Sequence, residues 1–151
     1  MKNFFLIFLA IIILSGCGYN SVYKQNEKTN FEISSLEIKG DTAINNLIEK
    51  ELNKYVGNDK EKKFEIYIKT DYSKNPISKD KTGKITKYKL TVDLNLKFKI
   101  NDQDKNVNLS ETFYMKNFDD KFEEKKYEKQ IKNNLSSLML NNIMSYLINF
   151  E

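Results

Sequence analysis

From Tyr88 to Ile100 the chain alternates without a break. Tyr88, Leu90, Val92, Leu94, Leu96, Phe98 and Ile100 are apolar, and Lys87, Lys89, Thr91, Asp93, Asn95, Lys97 and Lys99 fill the odd positions. Successive side chains of a strand point to opposite faces, so this period of two predicts a strand with one face buried and one in water. Counted from Thr86 it has 15 residues, about 50 Å if unbroken. Most strands are shorter, so a bend or an end protruding beyond the sheet is expected.

The same reading places five further elements. Phe31–Lys39 reads as a strand whose phase slips at Ser34-Ser35, as a bulge would make it. Gly40 ends it, and Asp41 or Thr42 can cap a helix by accepting a free N–H of its first turn. Ile44, Leu47, Ile48, Leu52, Tyr55 and Val56 recur at helical spacing, and Gly57-Asn58 is a stop signal. Phe64–Tyr72 alternates as a second strand. Ser73–Lys84, with Pro76 and the turn-like Lys81-Thr82-Gly83, reads as a long loop. After the long strand, Asn101–Lys105 reads as a hairpin loop. Val107, Leu109, Phe113 and Met115 then form a fourth strand interrupted at Glu111.

Asp119–Phe150 is a long helix. Ile131, Leu135, Leu138, Asn142 and Tyr146 lie on one stripe, with Met139, Ile143, Leu147 and Phe150 beside it. Leu140, Met144 and Ile148 carry apolar surface round the far side, so this helix end calls for cover on more than one face. The fold class is therefore α+β: a two-layer sandwich in the order β-α-β-β-β-α, with two helices on one face of a four-stranded mixed sheet. Strands one and two, joined by a helix, run parallel; the remaining pairs are antiparallel hairpins.

Ahead of this domain lies a different kind of segment. Lys2, an apolar run from Phe4 to Leu14, and Leu14-Ser15-Gly16-Cys17 follow the order of a secretory signal. Eleven apolar residues are too few to cross a bilayer as a helix. Small residues directly before a cysteine resemble a bacterial lipoprotein signal, in which the thiol is acylated and the chain is cut just before it. That resemblance implies a signal peptide over residues 1–16, lipid attachment at Cys17 and acyl chains such as palmitate in a membrane. Residues 17–30 become an acylated cysteine and flexible tether, and residues 31–151 a single domain. Cys17 is the only cysteine, so no intramolecular disulfide can form.

Composition narrows the chemistry. All 25 basic residues are lysine against 21 acidic ones, and there is no histidine. The commonest general base and metal ligand is thus missing. No nucleophile elbow, glycine-rich phosphate loop or zinc-protease helix occurs. The acid pairs Asp119-Asp120 and Glu123-Glu124 stand at a helix start, where carboxylates complement the positive helix end. The expectation is no enzyme, no cofactor, no metal and no nucleic acid. Binding remains. Lys87 and Lys89 cluster with Lys84 at one end of the long strand, and Lys97, Lys99 and Lys105 gather at the other. Such lysines solvate a sheet and discourage edge pairing. They can equally gather around a phosphorylated head group as point charges, without the bidentate fork of arginine.

Cys17-Gly18-Tyr19, the element order, and Gly83-Lys84-Ile85-Thr86-Lys87-Tyr88-Lys89-Leu90-Thr91-Val92 at the opening of the long strand resemble the LPS-assembly lipoprotein family, LptE. The likeness continues through Ser110-Glu111-Thr112-Phe113 and the terminal helix. It implies an outer-membrane lipoprotein on the periplasmic side that plugs the export barrel LptD, assists its folding and contacts lipopolysaccharide. In the family, basic residues around the loop before this strand are implicated in that contact, which carries over to Lys84, Lys87 and Lys89. Many relatives have arginine where this chain has Lys87. Gly18 after the cysteine resembles an outer-membrane sorting signal. The competing expectation is a periplasm-facing lipoprotein that binds another envelope protein as accessory or inhibitor, without lipopolysaccharide.

Overall fold

The structure is a computed structural model that describes residues 29–150. The signal segment and Cys17 lie outside the described residues. Strand β1 (Phe31–Lys39) is followed by helix α1 (Thr42–Leu52) and a single 3₁₀ turn at Asn53–Tyr55. Strands β2 (Lys62–Lys79), β3 (Ile85–Ile100) and β4 (Gln103–Lys116) and helix α2 (Lys121–Ile148) complete the order β-α-β-β-β-α. The sheet order is β1-β2-β3-β4, with β1 parallel to β2 and the other pairs antiparallel. The α+β class, the mixed sheet and the bulge between Ile33 and Ser35 are as the sequence predicts.

The long strand buries its even residues from Leu90 to Ile100, each at most 5% exposed. They meet Ile44, Ile48 and Leu52 of α1 and Ile131, Leu135, Met139, Ile143 and Leu147 of α2 in one core. Asp41 caps α1, its Oδ1 accepting from the backbone N–H groups of Ala43 and Ile44. Gly40 just before it has φ +120, and a Cβ there would sit 1.9 Å from Thr70 O. Only glycine lets the β1–α1 turn lie this close to β2.

Four expectations are corrected. The segment Ser73–Lys84 is mostly strand: β2 runs to Lys79 and pairs with β3 throughout, leaving a turn at Asp80–Lys84. Pro76 is tolerated because β1 stops at Lys39, opposite Lys69, so this part of β2 is an edge, and the pairing bulges after Pro76. The hairpin loop is Asn101-Asp102 alone, both at positive φ (48 and 61), the backbone of a tight two-residue turn. Glu111 does not interrupt β4; it pairs with Val92, and its carboxylate accepts from Asn142 Nδ2 at 3.3 Å. On the helices the predicted stripes are too wide. Val56 lies past the end of α1, in a bridge to Ile33, and is 44% exposed. The buried line on α2 steps by four, which leaves Leu138 and Tyr146 48% and 44% exposed.

Beyond the end of β1, the β2–β3 ribbon is held to α2 by charge as well as by the buried Leu90, Val92 and Met115. Lys74 Nζ meets Glu124 Oε1 at 2.7 Å and Glu128 Oε2 at 2.8 Å, and stands 4.4 Å from the Tyr88 ring centre. Lys121 closes on the other Glu124 oxygen at 2.7 Å, and the Tyr72 hydroxyl donates to Glu128 at 2.7 Å. Lys132 reaches Asp41 at 3.0 Å across the Tyr72 ring. Burial would raise the Glu124 carboxyl, but hydrogen bonds from Lys121 and Lys74 outweigh it and hold its pKa at about 2. Burial, reinforced by Glu128, pushes the Tyr72 hydroxyl up. This lattice fixes the ribbon tip, and with it the outer sheet face at that end.

Candidate anion-binding face of the sheet

The odd residues of β3 point away from the helices, and β2 and β4 supply their neighbours row by row. At the ribbon tip Lys87 stands directly opposite Lys116, and the next row is Asn75, Lys89 and Tyr114. A hydroxyl row follows, Ser73, Thr91 and Thr112, then Asp71, Asp93 and Ser110. Asn95 then donates to Asn106 and Asn108 at 2.6 and 2.7 Å. At the far end Ser35, Glu65, Tyr67, Lys97 and Asn106 border a shallow open groove of about 610 Å³.

The three lysines named from the sequence therefore part company. Lys84 closes the tip turn, where Gly83 takes φ +84 and Asp80 Oδ1 accepts from Thr82 and from the Lys84 backbone N–H. Its ammonium lies 2.6 Å from Asp119 Oδ1; that hydrogen bond raises Lys84 and lowers Asp119. Lys87 and Lys89 share the outer face, and neither makes an ion pair among the described residues. At the other end Lys99 pairs with Asp102 at 3.0 Å. Lys105 leaves the expected cluster, its ammonium 5.7 Å from the Phe150 ring on the inner side.

Sequence reading missed Lys116 and the engagement of Lys84. Both depend on register: the two-residue turn sets Lys116 against Lys87 and brings Asp119 beside the tip. The acid pairs also divide. Asp120 caps α2, accepting from Phe122 and Glu123 N–H, whereas Glu124 is buried at 5% exposure within three residues of the helix start. Among the described residues no group of three or more acidic, histidine or cysteine side chains could hold a metal, and no helix is long and apolar enough to cross a membrane.

These features define a small α+β domain with one helix-covered face and one polar, open face. Solved structures of this class include rare lipoprotein B from Shewanella oneidensis, with a TM-score of 0.55 at 11% identity over 77% of this chain and 98% of that one. Uncharacterized lipoprotein B from Nitrosomonas europaea gives a TM-score of 0.55 at 12% identity, covering 81% of this chain and 87% of that one. At such identities the likeness is one of fold. No family model matches the sequence, and no curated protein does.

Proposed function

We propose that the protein is an outer-membrane lipoprotein, anchored through acylated Cys17 with its domain on the periplasmic side. There it plugs and helps fold the export barrel LptD and contacts lipopolysaccharide. It performs no catalysis and carries no cofactor. The fold it shares with lipoprotein B structures supports an envelope lipoprotein, and so does the Leu14-Ser15-Gly16-Cys17 signal. The observation that carries the barrel reading is the outer sheet face. It is polar from Lys87 to Lys99 and uncovered by either helix, and the lumen of an outer-membrane barrel is itself polar.

Affinity purification of the tagged full chain from envelopes tests this. Co-recovery of a large outer-membrane barrel that misfolds when the chain is depleted is the expected result. Recovery of soluble periplasmic proteins alone replaces it with the accessory-lipoprotein reading. Metabolic labelling with palmitate should mark the wild type and not Cys17→Ser; an unlabelled wild type removes the anchor.

A further inference from the structure

We propose that Lys87, Lys116 and Lys89, with the Tyr114 hydroxyl, form a site for a phosphate monoester, whether carried on a lipid or free, and that Lys84 is not part of it. This deepens the lipopolysaccharide-contact reading above by fixing the membership and ligand chemistry of the site, and it rests on that reading for its biological setting.

The geometry of the sheet carries the inference. Lys87 and Lys116 are register partners on adjacent strands, and residues so paired have Cβ atoms about 5 Å apart. Like charges at that spacing repel unless something negative lies between them. Nothing in the described protein does so. Neither lysine makes an ion pair there, and Lys89 makes none either. The nearest carboxylates on the same face are Asp71 and Asp93, which are register partners of each other. Asp93 is four residues along β3 from Lys89, about 13 Å. That exceeds the screening length of about 8 Å at physiological salt. The carboxylates nearer the tip are committed elsewhere: Asp119 to Lys84, Asp80 to its own turn, Glu124 and Glu128 to Lys74 on the opposite face. Lys79 and Lys81, also without ion pairs among the described residues, add to the positive field.

Two facing ammonium groups with a third beside them balance a dianion better than a monoanion. A phosphate monoester carries a charge of about −1.5 to −2 at pH 7, because its second proton leaves near pH 6. A phosphodiester carries one charge. Tyr114 is 65% exposed and stands opposite Lys89, so its hydroxyl is free to donate to a phosphate oxygen seated between the strands. The Lys84 ammonium already has a carboxylate at 2.6 Å and offers little to a second anion.

The test uses the full chain in neutral detergent micelles, with NMR read at the amides of Lys87, Lys89, Tyr114 and Lys116. Inorganic phosphate, phosphatidic acid and phosphatidylglycerol are titrated separately at constant ionic strength. Saturable shifts at these four amides are expected with phosphate and with phosphatidic acid, strengthening between pH 5 and pH 7 as the second proton leaves. Tighter binding of the lipid than of the free ion assigns the source as a head group, and equal binding assigns free phosphate. Lys116→Gln and Lys87→Gln should each weaken phosphatidic acid binding about tenfold, whereas Lys84→Gln stays within about twofold. Phosphatidylglycerol binding as tightly as phosphatidic acid overturns the proposal, as does a Lys84→Gln loss equal to that of Lys116→Gln. Because the assay contains no barrel, failure here leaves the pull-down result standing, and the reverse also holds.

Discussion

The two ends of the sheet are stabilised in opposite ways by the same helix. At the end where β1 begins, Phe31 stacks on Tyr55, and Phe64 meets Phe31, Phe98 and Phe150 edge-on at 5.5 to 6.3 Å. Near the ribbon tip the rings are fewer, Tyr127 meeting Phe113 and Phe118 at 6.4 and 5.4 Å, and an ionic lattice stands beside them. There the N-terminal half of α2 sets Glu124, Glu128 and Lys132 against Lys74, Tyr72 and Asp41. The reason is width. Where β1 flanks β2, both helices rest on a sheet broad enough to close an apolar core. Past Lys69 the sheet loses that strand, although Leu90, Val92 and Met115 stay buried further in. Along the edge left open, long side chains with charged heads reach between β2 and α2. The aromatic cluster is therefore indifferent to pH, with Glu32 beside it held low by Lys63, whereas the ionic end depends on pH throughout.

The sharpest way to break the contrast is at Phe64, which is fully buried among three rings. Phe64→Ala should cost about 4 kcal/mol of unfolding free energy, measured by denaturant titration, and by the same amount at pH 7 and pH 4. At the other end Glu124→Ala leaves Lys74 with Glu128 as its remaining carboxylate and takes the carboxylate from Lys121, and should cost about 3 kcal/mol at pH 7. A loss below about 1 kcal/mol in the same titration would show that α2 does not need its ionic lattice.

The pH dependence sharpens the comparison. The Glu124 carboxyl falls from its ordinary 4.5 to about 2 on folding. A depressed carboxyl stabilises fully above its unfolded value and loses that contribution as pH falls through its folded value. Wild-type stability should therefore decline from about pH 4.5 down to about pH 2. Glu124→Gln should flatten most of that decline; Asp41, Glu128 and Glu32, also held low by their lysine partners, leave a remainder. An unchanged acid limb in Glu124→Gln would place the sensitivity elsewhere. Asp41→Ala removes both the α1 cap and the Lys132 partner, and should cost about 1.5 kcal/mol by thermal or denaturant unfolding. Smallest of all is Lys84→Gln: its pair with Asp119 is exposed on both sides, and the denaturant midpoint should not move measurably.

What could be read from the chain alone was what depends on local period. The alternating stretch counted from Thr86 to Ile100 matches β3 to within one residue. Spacing marked both helices, and the phase slip at Ser34-Ser35 marked the bulge. The inward line of α2 was legible only in part, because Leu138 and Tyr146 are as apolar as the residues that are buried, and nothing local says which side meets the sheet. Pro76 read as a loop for a similar reason: whether proline is tolerated in a strand depends on whether a neighbour needs its N–H.

Only the tertiary structure decided who stands beside whom. A five-residue loop at Asn101–Lys105 would pair Ile100 with Asn106 and set Asp119, not Lys116, opposite Lys87. The actual two-residue turn shifts every partner on β4 by three positions. An odd shift also exchanges the faces of the strand. Whether the tip carries facing lysines or a neutral pair thus hangs on the left-handed backbone of Asn101 and Asp102. Burial follows from side-chain chemistry repeated along one strand, and sequence records it. Charge pairing follows from the register between strands, here set by a two-residue turn, and the fold alone fixes it.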